Sequence, residues 1–444
     1  MTVNLDAELP GAASERGSGL NLEFSPASPR QSDRLEEITS FGSNPGNLRM
    51  LALIPSRDDA APIPLVVVLH GCRQSAADYA LHSGWIELAD LWGFALLLPE
   101  QRPENNAHGC FNWFRPEDVQ HDSGELLSIW QMIDHVTGIH PIDPKRVFAT
   151  GLSAGGAMAV ALLAGYPDLF AAGAAIGGLP LGSARNVIEA LGSMYRGRSR
   201  SGPEWAARVR DAAPGHTGPW PRITIWHGDQ DATVAPRNAT ELVKQWTTIH
   251  EVKKPPTVEQ LPAAQHHCYM NDDGDVVVDF YALTKLGHAD PINPPEGSDD
   301  GDHDEARGGM PGPYVAPAGI WAAYCNARAW GLDQPADAES AAVVAATVVA
   351  EPVMLRPLIP SVPIFPIWAI VTVRPAARAR RPAPVATPGA PKPPRATAGD
   401  TMPAAPTMTP PADVAPAPIA SDHGQYGVLG ALKRRLRRYL SRLW

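Results

Sequence analysis

The chain has 444 residues, 44% hydrophobic and 19% charged, the composition of a globular body that buries a real core. Its net charge of −10 hides a division: residues 334–444 carry 13 basic and 6 acidic side chains, and residues 1–333 carry 24 and 41. An acidic body excludes nucleic acid as the main partner, because phosphate binding needs clustered Lys and Arg, and 19 prolines in the last 111 residues exclude a compact domain running to the C-terminus.

Residues 1–40 are rich in Ser, Gly, Pro and Glu without a sustained period and read as a disordered arm. Met1 to Pro10 shows no basic region followed by an apolar one, so no standard secretory signal is seen. From Asn47 the texture changes. Arg49–Ile54 reads as a strand, Leu65–Leu69 as a fully buried one, and Phe94–Leu98 as a third. Continuous apolar runs separated by helical patterns point to parallel strands covered on both faces. Asp122–Val136 has a helical period, with Leu126, Ile129, Trp130, Ile133 and Val136 on one stripe and Asp122 or Ser123 as the cap. Arg146–Ala149 is a strand, Ala154–Ala164 a helix of small residues, Ala172–Ile176 and Ile223–Trp226 strands, and Ala239–His250 a helix. Val276–Tyr281 is the last strand, after a turn signal, and Ala316–Trp330 a closing helix. This alternation predicts an α/β domain over 41–333, with a mostly parallel sheet and helices on both faces.

Residues 334–424 read as an Ala/Pro-rich linker. Within it Pro357–Val373 is uncharged, but its prolines would break a spanning helix. Residues 425–444 place Leu429, Leu432, Leu436, Tyr439, Leu440 and Leu443 on one helical stripe and six basic residues elsewhere. That is the pattern of an interfacial anchor for an anionic membrane or a granule surface, or of a basic solubilising tail.

The chemistry centres on Gly151-Leu152-Ser153-Ala154-Gly155, which follows the strand VFAT and opens a helix. A nucleophile elbow needs that setting: the serine sits at a strained strand-to-helix turn, where flanking glycines avoid clashes. Its partners follow in the order acid, then histidine, on loops after later strands. RITIW runs into His227-Gly228-Asp229-Gln230-Asp231, and the last strand into Leu286-Gly287-His288-Ala289. The expected set is therefore Ser153, Asp231 and His288, with Asp229 as a rival acid and His266 or His267, expected at a surface turn, as rival bases. An oxyanion hole needs two donors. The backbone N–H of Ala154 is one candidate, and that of Cys72, in the loop His70-Gly71-Cys72-Arg73-Gln74 after LVVVL, is the other. His70 itself reads more simply as a structural histidine. Four cysteines allow two disulfides without demanding any, and no CxxC pair suggests zinc. No cofactor or metal is expected.

Taken together, His70-Gly71-Cys72 with Gln74, Cys110-Phe111-Asn112-Trp113-Phe114, GLSAGG, the HGxxDxxV segment and the final Gly-His-Ala resemble the poly(3-hydroxybutyrate) depolymerase esterases over residues 45–331. The resemblance implies an α/β-hydrolase fold, a serine esterase acting through an acyl-enzyme, and relatives among feruloyl and acetylxylan esterases. It matches Ser153, Asp231 and His288 to the triad and Cys72 to the oxyanion loop. By the same resemblance Cys72 and Cys110 either pair, pinning the CFNWF segment beside the site, or stay reduced. Phe111, Asn112, Trp113 and Trp226 become substrate-binding candidates, with core packing as the alternative. Short-chain polyhydroxyalkanoate or its oligomers is the expected substrate; a feruloyl- or acetylxylan-type ester is the alternative, as is a non-catalytic binding protein on a degenerate fold. The family implies an extracellular location; the missing signal leaves the cytoplasm as the other choice. Two departures stand out. Asp290-Pro291 follows Gly-His-Ala where family members often carry Trp. An acidic run, Glu296 to Glu305, then holds six carboxylates in ten residues and reads as a solvated loop.

Overall fold

Two runs, Ile63–Leu69 and Ala95–Glu100, bury every residue, which a strand achieves only when both faces of its sheet are covered. The rest of the sheet grows outward from them. The computed structural model describes residues 34–56, 61–295 and 306–334, within one compact unit. Most of the N-terminal arm, the acidic run 296–305, the linker from residue 335 and the basic segment 425–444 lie outside the described residues.

In chain order the elements are β1 (Glu36–Ile38), β2 (Arg49–Leu53), β3 (Ile63–Leu69), α1 (Ala76–His82), α2 (Trp85–Trp92), β4 (Ala95–Glu100), α3 (Pro116–Val119) and α4 (Gly124–Ile139). Then follow β5 (Ile142–Leu152), α5 (Ala154–Gly165), β6 (Ala172–Ile176), α6 (Val187–Arg196), α7 (Gly202–Ala212), β7 (Arg222–Gly228) and α8 (Arg237–Ile249). The last are β8 (Thr257–Gln260), β9 (Ala264–Met270), β10 (Val276–Leu283), β11 (Asp290–Ile292), β12 (Val315–Pro317) and α9 (Ala322–Ala329).

Ten strands form one sheet in the order β1-β2-β4-β3-β5-β6-β7-β10-β9-β8. The run from β4 to β10 is parallel, and both edges are antiparallel. Alternation along β3 shows the two covered faces. Leu65, Val67 and Leu69 pack into a core with residues of α4, α5 and α8, while Val66 and Val68 pack into another with residues of α1, α2 and α9. This is the α/β-hydrolase arrangement expected from the sequence. Helix α5 is buried at all twelve positions, which its Ala and Gly content permits by letting it approach the sheet closely. A Cβ on Gly155 would come within 2.1 Å of the Leu69 carbonyl oxygen, so only glycine fits there.

The structure departs from the sequence reading at several elements. The folded body starts before residue 41, because Glu36–Ile38 adds an antiparallel edge strand to β2. Ser123 precedes α4 but does not cap it; its hydroxyl donates to the carbonyls of Glu117 and Gln120. Ala316 lies in β12, paired with β11, and the closing helix starts only at Ala322, because Pro317 and Gly319 (φ +70°) interrupt it. His266 and His267 occupy strand β9 rather than a turn. Strands β8 and β9 carry few apolar residues and are specified by their ladder to β10, a non-local signal that periodicity does not contain.

Asp290, the first residue of β11, is buried, accepts a 2.8 Å hydrogen bond from the Tyr79 hydroxyl, and leaves Oδ1 without a partner among the described residues. Burial pushes its carboxyl up to about 7, whereas in the unfolded chain it ionises near its ordinary value of about 3.9. Between those values the unfolded state loses its proton and the folded state keeps it, so folding stability falls as pH rises across that window. Asp290→Asn keeps the Tyr79 bond and is expected to flatten this fall. Urea midpoints measured from about pH 4.5 to 7 check it; an unchanged slope in the variant contradicts the assignment.

Candidate active site

Ser153 is the single residue between the end of β5 and the start of α5. Its backbone is forced to φ 58°, ψ −114°, a conformation that is costly for any residue with a Cβ. The surroundings hold it there: the Ser153 N–H donates to the Ile176 carbonyl (2.8 Å) and its own carbonyl accepts from Ala157 (2.9 Å). The hydroxyl is thus presented at the N-terminus of a buried helix, where the backbone dipoles favour negative charge. Gly177, next after Ile176, has φ +54° and its N–H bonds the Trp226 carbonyl at the end of the β7 ladder. A Cβ there would stand 3.0 Å from Cε1 of His288. The missing side chain is what lets the imidazole lie against the backbone that also holds Ser153.

The His288 Nδ1–H donates to Asp231 Oδ2 at 2.6 Å. Asp231 in turn accepts from the N–H groups of Thr233 and Val234 at Oδ1, 2.8 Å each. Burial alone would raise its carboxyl; the hydrogen bonds from His227 and His288 outweigh that and hold it well below the usual carboxylate range. It therefore stays ionised at working pH. His227 was not singled out in the sequence, although it stands in the same HGxxDxxV segment. It is buried, its Nε2 bonds the Val234 carbonyl at 2.8 Å and lies 3.4 Å from Asp231 Oδ2. Asp229, the rival acid, has a different task. Its Oδ1 accepts from the Lys285 N–H and its own N–H donates to the Leu283 carbonyl, tying the β7 loop to the loop that carries His288. Gln230 adds a bond to the Leu286 carbonyl. The rival base His266 is engaged at 2.8 Å with Asp279 on the edge hairpin, and His267 lies beside it with its ring against Phe280.

The loop after β3 is braced from several directions. A disulfide joins Cys72 to Cys110. Gly71 N–H donates to Gln74 Oε1, Gln74 Nε2 to the Pro313 carbonyl, and Arg73 N–H to the His108 carbonyl. The Cys72 N–H has no partner among the described residues. Ala154, as the first residue of α5, has no carbonyl of its own helix to bond. His70 is fully buried and neutral by burial, bonding the Gly71 carbonyl through Nδ1 and accepting the Gln101 N–H at Nε2. It is a structural histidine.

The substrate-binding candidates are corrected by their burial. Phe111 and Trp226 have no exposed surface. Phe111 packs on His70, and Trp226 stacks on Tyr281 and donates its indole N–H to Asn326. Both are core. Asn112 spends its backbone N–H and its amide on Glu125, and its side-chain oxygen accepts from Asn106. Trp113 keeps 7% exposure, edge-on to Phe114. Glu125, pushed up to about 8 chiefly by burial, receives Gln101 as well; with Gln101 it anchors the segment from Cys110 to Asn112. The sequence reading missed both, because a Gln and a Glu 24 residues apart carry no local pattern. It also missed Tyr314, whose ring meets His288 edge-on at 6.1 Å.

The family profile described as "Esterase PHB depolymerase" matches residues 50–254. Poly(3-hydroxyalkanoate) depolymerase C of Paucimonas lemoignei is 38% identical over 299 residues, covering 67% of this chain and 70% of that protein. Feruloyl esterase B of Thermothelomyces thermophilus is 32% identical over 265 residues, 58% of this chain and 89% of that one. Among solved structures, an acetyl xylan esterase from Aspergillus awamori aligns with a TM-score of 0.53 at 26% identity, covering 57% of this chain and 93% of its own. An α/β-hydrolase sheet with a serine elbow, matched at this identity and coverage, makes the chain a member of the PHB depolymerase family of esterases, serine hydrolases of carboxylic esters.

Proposed function

We propose that Ser153, Asp231 and His288 are the catalytic triad and that the N–H groups of Cys72 and Ala154 form the oxyanion hole. The observation that carries this reading is the 2.6 Å bond from His288 Nδ1 to a buried, ionised Asp231. With its proton fixed on Nδ1, His288 offers the lone pair of Nε2. In the first half-reaction Nε2 takes the proton of Ser153 Oγ as the oxygen attacks the ester carbonyl. The tetrahedral oxyanion is stabilised by the two amides. Collapse breaks the ester C–O bond, and the imidazolium returns its proton to the leaving alcohol. Water, activated by the same nitrogen, then hydrolyses the acyl-enzyme and regenerates Ser153. Asp231 orients the ring and stabilises its cationic form.

The substrate we propose is a short-chain polyhydroxyalkanoate or its oligomers. The 38% identity to a depolymerase over most of the hydrolase body supports it. A feruloyl ester is the second reading, favoured by the 89% coverage of a feruloyl esterase. Wild type should take a fluorophosphonate label that Ser153→Ala does not, and should hydrolyse 3-hydroxybutyrate oligomers faster than methyl ferulate. Equal labelling of the variant overturns the nucleophile, and the reverse preference overturns the substrate.

Asp231→Asn is expected to lower kcat by about 10⁴-fold, because the amide presents the wrong tautomer to His288. Asp229→Asn keeps an acceptor for the Lys285 N–H and should cost under about tenfold. Steady-state kinetics of the two separate the acids; the opposite order sinks the assignment. We further propose, on sequence alone, that residues 425–444 hold the hydrolase body on an anionic lipid or polyester granule surface. Co-sedimentation with granules or anionic vesicles should fall on deleting them, and unchanged sedimentation removes that role.

A further inference from the structure

Away from the serine, the antiparallel edge of the sheet carries a second group of chemically active side chains. His266 and Cys268 are two apart on β9 and so face the same way. On the neighbouring strand β10 the register places Asp279 beside Cys268 and Tyr281 beside His266. On the outer strand β8 it places Thr257 beside Cys268 and Glu259 beside His266. One nitrogen, one sulfur and one oxygen from His266, Cys268 and Asp279 lie within 4.8 Å of one another. Nε2 of His266 is 2.8 Å from Asp279 Oδ1 and 3.4 Å from Cys268 Sγ.

Those separations are close enough for a common centre to be reached by side-chain rotation. Donors at about 2.0–2.3 Å from a tetrahedral zinc ion stand roughly 3.3–3.7 Å apart. The nitrogen–sulfur pair has that spacing, but Sγ also lies 3.7 Å from Nδ1, so Cys268 must turn its sulfur toward the Nε2 side as the metal binds. The nitrogen–oxygen pair needs to open by about half an ångström once the metal takes the place of the shared proton. The imidazole is held in plane by a stack: its ring lies 4.0 Å and 9° from Tyr281, which lies 3.8 Å and 4° from Trp226. Glu259 stands 3.9 Å from the other ring nitrogen, Nδ1. That is the place of the carboxylate that commonly orients a metal-bound histidine. All three donor residues are partly buried, neither lost in the core nor free in solvent.

We propose that His266, Cys268 and Asp279 bind a divalent transition-metal cation, zinc being the best match, with Glu259 orienting His266. A mixed thiolate, imidazole and carboxylate set suits zinc, whereas calcium and magnesium take oxygen donors. Binding breaks the Cys268 S–H bond. The proton goes to solvent and the sulfur electron pair forms the metal bond. His266 binds through Nε2 and keeps its proton on Nδ1, toward Glu259. The incoming cation displaces the thiol proton, so binding releases one proton per metal. Three protein donors leave a fourth position for water. The site differs from Ser153, Asp231 and His288 in every residue and does not depend on the reading of the triad. Its physical effect is to cross-link β9 to β10; β8, exposed at all four positions, is tied to the site only through Glu259.

The test uses the full chain, stripped with a chelator and titrated with Co²⁺ as a spectroscopic substitute for Zn²⁺. Wild type should develop a thiolate-to-cobalt charge-transfer band that saturates at one equivalent. The band should vanish in Cys268→Ser and persist in Cys325→Ser, the other free thiol. His266→Gln and Asp279→Asn should weaken Zn²⁺ binding by about tenfold or more, measured by competition with a chromophoric chelator. Hydrolysis of p-nitrophenyl butyrate at the wild-type rate shows that each variant is folded, so a lost band then reports the lost ligand. No band in wild type, or a band that survives Cys268→Ser, overturns the proposal, as does unchanged zinc affinity in both His266→Gln and Asp279→Asn.

Discussion

The site depends on backbone meeting backbone where side chains would normally intervene. Gly151, Gly155 and Gly156 let the first turn of α5 rest on the ends of β3 and β5, with virtual Cβ atoms at 2.1 to 2.8 Å from neighbouring main chain. Interiors are packed too tightly to yield by that amount. Any side chain there would lift the helix away from the sheet. Ser153 is therefore held by its surroundings in a conformation it would not choose, and the strain is offset by the burial of all twelve residues of α5. The same logic recurs at Gly177, beside His288, and at Gly228, where a Cβ would meet the Leu286 carbonyl oxygen at 2.2 Å. Three sharp turns at the ends of parallel strands thus converge, each made possible by absent side chains.

Charge is handled differently at two depths. Asp231 is buried yet ionised, because two imidazole N–H groups and two backbone N–H groups face it. Glu125 is buried with amide partners only, and burial dominates, raising its carboxyl to about 8. The first arrangement suits the role proposed for Asp231, stabilising a transient positive charge on His288. The second suits a scaffold: Glu125, Gln101 and Asn112 knit the Cys110 segment to α4, and the disulfide passes that fixity to Cys72. A backbone N–H serves an oxyanion only if it does not move when charge develops. A polar network on one side of Cys72 and a covalent bond through it supply that condition.

What the sequence made legible follows from the range of each interaction. β3, β4, β6 and α5 are specified by their own composition and were readable from it. Ser153, Asp231 and His288 stand after the ends of strands β5, β7 and β10, and strand ends are marked in sequence by the runs that precede them. Phe111 and Trp226 were misleading, because an aromatic residue next to a functional loop looks the same in sequence whether it faces a ligand or the core. Only their zero exposure distinguishes the two. Glu125 and Gln101 were silent for a related reason: each needs the other's fold position to acquire meaning. His227 was visible in the motif but not in its role, since its contact with Asp231 depends on the turn that brings the two together.

The strands β8 and β9 extend this point to an edge that hydrophobicity does not explain. Along Thr257–Gln260 every side chain is exposed, and along Ala264–Met270 only Ala264 is buried. Such strands hold by ladder bonds and cross-strand pairs, which are worth little individually. An edge of this kind invites pairing with another chain unless something blunts it. Polar and charged side chains do so here, and those facing one way include His266, Cys268, Asp279 and Glu259 along with Thr257 and Tyr281. A set chosen only for solubility would need neither a thiol nor an imidazole locked by stacking on Tyr281. The combination of a soft donor, a fixed ring and a carboxylate behind it has a simpler physical reason if the edge is closed by a cation. The protein would then use two unrelated devices, a covalent bridge at Cys72–Cys110 and a coordinate one between β9 and β10.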